Sequence, residues 1–435
     1  MRRVALHTLG CKLNSAESSM LGKQFVERGF ELVEFGEQAD VCVINTCSVT
    51  ARANRECRQL IRRALRSSAA PFVVVTGCYA QLEPEEVASI EGVDLVLGTK
   101  EKAHLLDYLG SLEKKLYPHV VVSDISTVDD FGIAYSTSAT ERTRAFLKVQ
   151  DGCDYSCSFC TIPLARGASR SQSIEASVQQ ARVLVSQGYK EIVLTGVNVG
   201  DYGKKDGSNL LALVRELVKI ENLERLRISS IEPNLLTDEL LAFVAAEKKM
   251  MNHFHIPLQS GSDEILRLMR RRYTTRYYDD LLHRIKQSIP DCGIGVDVIV
   301  GFPGETDRHF EETERFLLKI PASYLHVFTY SERPNTPASS FGKTVEPRIR
   351  FKRSEMLRML SRKKKQAFAQ TMIGRSASVL MEGEVEDGLR FGFSENYVRI
   401  GVPADDADEN AIVETEVTDV RDGFCVAHVR QQEAA

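Results

Sequence analysis

The amino-acid sequence predicts an α/β protein in three parts: an N-terminal parallel sheet, a central partial (βα)6 TIM-like barrel, and a small C-terminal β-barrel. Three observations carry this. Short apolar runs alternate with helical patterns as far as about residue 330, which is the signature of parallel sheets covered by helices. Beyond about Met372 the pattern changes to short alternating strands divided by Gly, Asn and Asp turns, as in a small barrel. The length, 435 residues, allows two to four units at ~100–200 residues each.

The first part, residues 1–125, has strand-like runs at Val4–Leu9, Val41–Thr46, Phe72–Gly77, Val93–Gly98 and His119–Asp124. Helical patterns lie between them near Ala16–Arg28, Ala51–Arg66 and Pro84–Ile90. Ser126 to Thr143 is polar and reads as a linker. The second part, 144–370, opens with Ala145–Val149 and continues with Glu191–Gly196, Arg225–Ser230, His253–Leu258, Ile294–Val300 and Tyr324–Tyr330. Helical patterns such as Ser177–Gln187, Leu210–Ile220 and Asp307–Leu318 fill the gaps. Six such units fall short of the eight that close a barrel, and barrel logic places chemistry at the C-terminal strand ends. The basic stretch Arg350–Gln370 reads as a helix leading to the third part, 371–432. Its strands are expected at Ala377–Met381, Leu389–Phe393, Tyr397–Val402, Val413–Val420 and Phe424–Val429.

Composition narrows the function. The chain is 43% hydrophobic and 27% charged, which is ordinary for a folded protein. The uncharged run Pro71–Leu82 is shorter than the ~18 residues of a membrane span, and no basic-then-apolar segment opens the chain. A cytoplasmic protein with no membrane association is the expectation. In that reducing setting ten cysteines point to metal ligands rather than disulfides. The net charge of −4 hides segregation. Glu346 to Lys365 holds nine basic residues against two acids, and Arg267, Arg270, Arg271, Arg272 and Arg276 form a second cluster. Such clusters are either solvated helix faces or tracks for a phosphate backbone.

The strongest motif is Gly152-Cys153-Asp154-Tyr155-Ser156-Cys157-Ser158-Phe159-Cys160, directly after the first strand of the second part. Three thiolates in one loop can ligate three irons of a 4Fe–4S cluster, leaving the fourth iron open. A structural zinc site wants four ligands, and no further Cys or His follows until His253. A disulfide wants pairs. A second triad is dispersed: Cys11, Cys47 and Cys78 each end a strand of the first part. Strand ends of a parallel sheet emerge on one edge, so the three thiols can meet. Topology alone leaves open that they are small buried cysteines. Cys42, Cys57, Cys292 and Cys425 have no companion at ligand spacing and read as structural.

The Cys153–Cys160 motif resembles that of radical S-adenosylmethionine (SAM) enzymes. Both triads together, with Thr8–Asn14, Asn45–Thr50, Thr76–Gln81, Ser229–Pro233, His255–Gly261 and Asp297–Thr306, resemble the methylthiotransferases over nearly the whole chain. Ser394-Glu395-Asn396-Tyr397 is similar to a motif of the family's RNA-binding TRAM barrel. The resemblance implies two 4Fe–4S clusters, one on Cys153, Cys157 and Cys160 that binds and splits SAM, and one on Cys11, Cys47 and Cys78 that carries the transferred sulfur. It implies tRNA as substrate and a low-potential electron donor such as flavodoxin or ferredoxin. Lys12, Tyr79 and Ser-Ser-Ile-Glu-Pro look most like the subfamily that modifies C2 of N6-threonylcarbamoyladenosine beside the anticodon. Other subfamilies act on isopentenyladenosine or on a ribosomal-protein aspartate. Phe159 is expected near the adenine of SAM. Gly196, Ser230, Glu232, Gln259 and Asp297, at or near barrel strand ends, are expected to line the SAM pocket, and His255 to be a satisfied core histidine. A non-enzymatic RNA-binding protein with a structural metal is the different-class alternative. A cobalamin-dependent radical enzyme would also have an α/β region in front, but no Asp-x-His-x-x-Gly motif is present there. Two departures stand out: Leu164 replaces an aromatic, and Gln172 replaces an arginine. Glu382 to Asp422 also carries thirteen acids against three arginines, which disfavours a uniform phosphate-gripping face.

Overall fold

The computed structural model describes residues 1–66, 71–114, 116–129, 131–136 and 143–430. The N-terminal sheet contains β1 (Arg3–Thr8), β2 (Glu31–Val33), β3 (Val41–Thr46), β4 (Phe72–Gly77), β5 (Leu95–Leu97) and β6 (His119–Val121). It is parallel throughout, in the order β2-β1-β3-β4-β5-β6. Both faces are covered. Cys42 and Ile44 of β3 belong to one core cluster, Val41 and Val43 to the other. That is why β3 and β4 are buried at every position and read as continuous apolar runs. Helices α1 (Lys12–Glu27), α2 (Ala51–Arg66), α3 (Cys78–Leu82) and α4 (Pro84–Ala88) connect the strands. Helix α1 starts four residues before the expected Ala16. Cys11, in extended conformation, is its N-cap, so the Cys motif runs straight into helix with no loop between. The edge strand β2 was not expected; three residues with two exposed give no period to read.

The second region has β7 (Arg144–Lys148), a two-residue ribbon β8 (Gln150–Asp151) with β9 (Arg170–Ser171), then β10 (Glu191–Thr195), β11 (Arg225–Ile228), β12 (His253–His255), β13 (Gly293–Val300) and β14 (Tyr324–Thr329). The helices are α5 (Ile162–Arg166), α6 (Ile174–Ser186), α7 (Leu210–Leu217), α8 (Asp238–Ala246), α9 (Asp263–Leu268), α10 (Thr275–Ser288) and α11 (Asp307–Lys319). Strands β7, β10 and β11 pair in parallel, as do β12, β13 and β14. Single bridges such as Ser230 with His255 join the two halves. The result is the open six-stranded barrel that was expected. Strand period sorts the side chains. Ala145, Leu147, Ile192, Leu194, Leu226, Ile294 and Val296 face the helices and form the core. The alternate positions, including Arg144, Glu191, Arg227, His255, Asp297 and His326, face the lumen. A closed barrel fills that space with branched apolar residues; this one lines it with charge.

The third region follows α12 (Pro347–Gln370). Strands β15 (Ser376–Glu386), β16 (Leu389–Ser394), β17 (Arg399–Pro403), β18 (Ile412–Arg421) and β19 (Phe424–Val429) close into a barrel. It docks under the larger barrel through its β16–β17 turn. Arg225 donates to the Phe393 carbonyl (3.0 Å) and Arg227 to the Glu395 carbonyl (3.0 Å). Asn396 donates to the Asp291 carbonyl at 3.0 Å. Tyr397 has φ +67° and stacks on His253, centroids 4.6 Å apart. The Ser394–Tyr397 motif is thus spent on closing the lumen floor, not displayed for a partner.

The expected linker is also only partly a linker. Residues 130 and 137–142 lie outside the described residues, but Ala134–Ser136 is buried and runs antiparallel to β7, with Tyr135 opposite Leu147. The N-terminal sheet then spans the gap between the first and last barrel strands. At one side α1 packs along β7. At the other, Ala51 N–H donates to Ser331 Oγ (2.9 Å), and Arg333 donates to Ser48 Oγ (2.7 Å) and Glu83 (3.0 Å).

Buried charge locks the first side. Arg166 donates to Glu17 (3.0 Å), Asp151 (3.0 Å) and Asn14 (2.6 Å). Lys102 meets Glu17 at 2.5 Å, and Lys148 meets Asp151 at 2.8 Å. Burial would raise both carboxyls, yet the surrounding cations hold Glu17 and Asp151 well below the usual carboxylate range. Glu17→Ala leaves buried cations unmatched and is expected to cost about 3–5 kcal/mol in urea unfolding at pH 7. Because the folded carboxyls stay ionised in acid, their contribution is whole above the unfolded carboxyl value near 4 and drains below it. The gap between wild type and variant should therefore narrow below about pH 4.

Candidate functional site

Each cysteine triad sits at a strand end, as the spacing predicts. Cys11 caps α1 after β1, Cys47 follows β3, and Cys78 opens α3 after β4. Cys153, Cys157 and Cys160 lie in the loop between β8 and α5. All ten cysteines are free thiols, which removes the disulfide alternative. Helix α3, beginning at Cys78, packs on α5, which begins two residues past Cys160. The two triads therefore share one interface.

Glycine makes the dispersed triad possible. Gly10 has φ +107°, and a Cβ there would fall 2.8 Å from the Cys47 Cβ. Gly77 has φ +97°, and a Cβ would fall 2.4 Å from the Thr46 carbonyl oxygen. Only a residue without a side chain lets these backbones approach. The same holds at Gly152, with φ +69°, where a Cβ would lie 2.1 Å from the Ala168 carbonyl oxygen.

Burial pushes the Cys47 and Cys160 thiols up to about 12 and Cys153 up to about 11. Cys78 and Cys157 are raised by burial too, against the pull of Arg166 and Lys102 beside Cys78 and of Arg271 beside Cys157. Metal ligation reverses this by holding the thiolate. The surroundings fit such a group. Around Glu17 and Asp151, Lys102, Lys148, Arg166 and Arg170 bring four cations against two carboxylates, and the excess positive charge faces Cys78 and Cys11. Arg271 Nη1 lies 3.1 Å from Cys157 Sγ. Among the described residues, the grouping tight enough for a single ion is His255, Asp297 and His326, whose donor atoms lie within 4.8 Å. Neither thiol triad is that tight.

The expected SAM-pocket residues divide. Phe159 is half-buried and meets Phe302 edge-on at 6.5 Å. Gly196 lies against Gln150, 2.9 Å from its Oε1 to a would-be Cβ. Glu232 forms an ion pair with Arg271, so it stands one residue away from the Cys157 thiol. Gln259 takes φ +71°, an uncommon backbone for a side chain of its kind, and Ser230 bridges to His255. Asp297 sits deeper, on the lumen wall. Burial would raise its carboxyl, but hydrogen bonds to His255 (2.7 Å) and His326 (3.4 Å) hold it well below the usual range. His255 is satisfied as expected, yet it faces the lumen, half-buried, rather than the core. The four remaining cysteines are buried. Cys57 donates to the Cys47 carbonyl at 3.4 Å, supporting the backbone at that cysteine.

Sequence reasoning missed Arg271 and the Glu17–Arg166–Asp151 network. The Arg267–Arg276 cluster reads as surface charge, but only Arg267, Arg270, Arg272 and Arg276 are exposed. Arg272 stacks on Tyr155 at 3.8 Å. Leu164 stands exposed, whereas Gln172 is buried, so Gln172 offers no surface contact.

An open six-strand array with a Cys-x3-Cys-x2-Cys loop after its first strand defines a radical SAM enzyme, a class that uses a 4Fe–4S cluster and SAM. Known proteins bear this out. Residues 147–317 match the radical SAM superfamily, and residues 3–98 match a family described as "Uncharacterized protein family UPF0004". The chain is 42% identical over 402 residues to a threonylcarbamoyladenosine tRNA methylthiotransferase MtaB of Aquifex aeolicus, covering 92% of this chain and 96% of that one. It is 36% identical over 389 residues to a tRNA-2-methylthio-N(6)-dimethylallyladenosine synthase of Cereibacter sphaeroides, covering 88% and 87%. Among solved structures, the radical SAM methyltransferase TsrM from Kitasatospora setae, with cobalamin and a [4Fe-4S] cluster bound, has a TM-score of 0.57 at 17% identity, over 78% of this chain and 74% of that one. That likeness is one of fold. The chain belongs to the radical SAM methylthiotransferase family.

The glycine cradles give a direct test. Gly152→Ala is expected to destabilise by at least ~2 kcal/mol in urea unfolding, from strain and clash together. Gly188→Ala, at φ +92° with nothing within 4 Å, should cost only about 1 kcal/mol. Equal costs would show that close approach at Gly152 is unimportant.

Proposed function

We propose that this enzyme methylthiolates C2 of N6-threonylcarbamoyladenosine beside the tRNA anticodon. The observation that carries the reading is the packing of α3 on α5, which sets two free-thiol triads side by side at a polar lumen. The relatives' names supply the substrate: the MtaB protein is 42% identical and the dimethylallyladenosine synthase 36%.

On this reading Cys153, Cys157 and Cys160 hold the cluster that engages SAM, and Cys11, Cys47 and Cys78 hold a second 4Fe–4S cluster. These groups supply the radical and sulfur chemistry that no side chain can perform at an unactivated C–H bond. The protein's part is position and exclusion of water. Phe159, Gly196, Ser230, Glu232, Gln259 and Asp297 line the SAM pocket, with Glu232 oriented by Arg271. The N-terminal sheet, residues 1–125, closes the lumen sideways. The barrel region is 144–370, and the TRAM-like barrel, 371–432, closes its floor.

A large anionic substrate suits the outer surface of α12. Arg350 and Arg353 are buried, Arg350 against Glu332 and Arg353 against Glu305 and Asp307. Lys364 donates to the Ile320 carbonyl. Arg348, Lys352, Arg358, Arg362, Lys363 and Lys365 remain exposed to track a phosphate backbone. Among the described residues no helix is long and apolar enough to cross a membrane. A cytoplasmic setting and a flavodoxin or ferredoxin as electron donor belong to the same reading.

Anaerobically reconstituted enzyme is expected to hold about eight irons per chain. Replacing Cys11, Cys47 and Cys78 together by Ala should leave about four, with reductive cleavage of SAM retained. Unchanged iron content would refute the second cluster. For the substrate, mass spectrometry of tRNA nucleosides from cells lacking the gene should show loss of the 2-methylthio form of N6-threonylcarbamoyladenosine. Persistence of that nucleoside without a second enzyme to make it would refute the assignment.

A further inference from the structure

Lys12 follows Cys11 directly and opens α1. Its side chain is ringed by protein, which disfavours its ammonium, with Tyr397, Arg144, Arg227 and Glu191 as electrostatic neighbours. It is nevertheless open to solvent, so it stands in the lumen and not in packed core. Every other cation there is matched. Arg144 pairs with Glu382 (2.9 Å) and lies over the Phe393 ring (4.6 Å). Arg227 pairs with Glu191 at 2.7 Å and with two carbonyls of the floor turn. Arg225 is taken by the Phe393 carbonyl, Ser378 Oγ and Glu191. Lys12 alone has no hydrogen-bond or ion-pair partner among the described residues.

An ammonium held in a cavity without a counter-ion is a site for an anion that arrives from outside. Its company is the Tyr397 phenol, two guanidiniums and one carboxylate already shared with Arg227 and Arg225, so an incoming anion meets a cationic wall. Its place next to a cysteine of the first triad puts that anion beside the reacting centre. We propose that Lys12 binds the carboxylate of the threonyl group on the substrate nucleoside, and so selects this nucleoside over one carrying a neutral hydrocarbon chain. The inference rests on the functional reading above. A dimethylallyl group offers no charge and would leave the ammonium unmatched, which is the stronger kind of discrimination.

The test uses reconstituted enzyme without reductant, so that binding is read apart from turnover. Three anticodon stem-loops differ only at the modified adenosine: threonylcarbamoyl, its methyl ester, and dimethylallyl. Wild type is expected to bind the acid about tenfold or more tightly than the ester, the range for a lost charge-assisted hydrogen bond. Lys12→Met should bring the acid down to the affinity of the ester, and Lys12→Arg should restore part of the preference. Iron content of each variant is measured alongside. Equal wild-type affinity for acid and ester overturns the proposal and needs no variant. An equal loss on acid and ester in Lys12→Met also overturns it, assigning Lys12 to the charge balance of the Cys11 site instead. Wild-type turnover of the dimethylallyl stem-loop with none of the threonylcarbamoyl one, on adding reductant, would overturn the functional reading itself.

Discussion

The buried ion network centred on Arg166 is the constraint on which the rest depends. A charge withdrawn from water must be matched, and the penalty for leaving it unmatched is several kcal/mol. Glu17 comes from α1, Asp151 from the strand before the cysteine loop, and Arg166 from the helix after it. Glu17 also pairs with Lys102 of its own region and Asp151 with Lys148 of the barrel, and Arg166 joins the two sets across the interface. Seating the N-terminal sheet on the barrel is what brings Glu17 to Arg166. Seating it is also what lays the helix of Cys78 against the helix beyond Cys160. The docking seen here satisfies all members of the network at once.

Much of the architecture was legible because it rests on local periods. Continuous apolar runs at Val41–Thr46 and Phe72–Gly77 mark strands buried on both faces, and the structure has them at those residues. The cysteines were legible because a motif of eight residues is local, and because strand ends of a parallel sheet converge by topology. What could not be read depends on pairings far apart in the chain. Glu17 and Arg166 are 149 residues apart, and no spacing rule links them. Arg271 looks like one of five surface arginines until the fold turns it toward Cys157. Arg350 and Arg353 count as charge for RNA in the sequence and are buried in ion pairs in the structure. Ser394–Tyr397 reads as a displayed motif because nothing local says which surface it will meet.

The lumen explains why the barrel is left open. With eight strands the interior would be filled by side chains. With six, the same period-two alternation leaves room, and that room is lined by His255, Asp297, His326, Arg227 and Lys12. Two separate pieces then complete the enclosure. The N-terminal sheet bridges from β7 to the segment after β14, and the β16–β17 turn lies across the floor. The acidic character of the last barrel fits this role, since its contacts to Arg144 and Arg225 use carboxylates and carbonyls rather than a basic face.

The floor turn has a consequence for how the molecule comes into being. The chamber takes Cys11 and Lys12 from the start of α1 and Tyr397 from the turn between β16 and β17. A ribosome will have made almost the entire chain before the final wall exists. Until then the lumen has no floor. Tyr397, at φ +67° and stacked on His253 and Phe393, is where that floor meets the barrel. The path of the backbone alone thus places the floor last among the walls of the chamber.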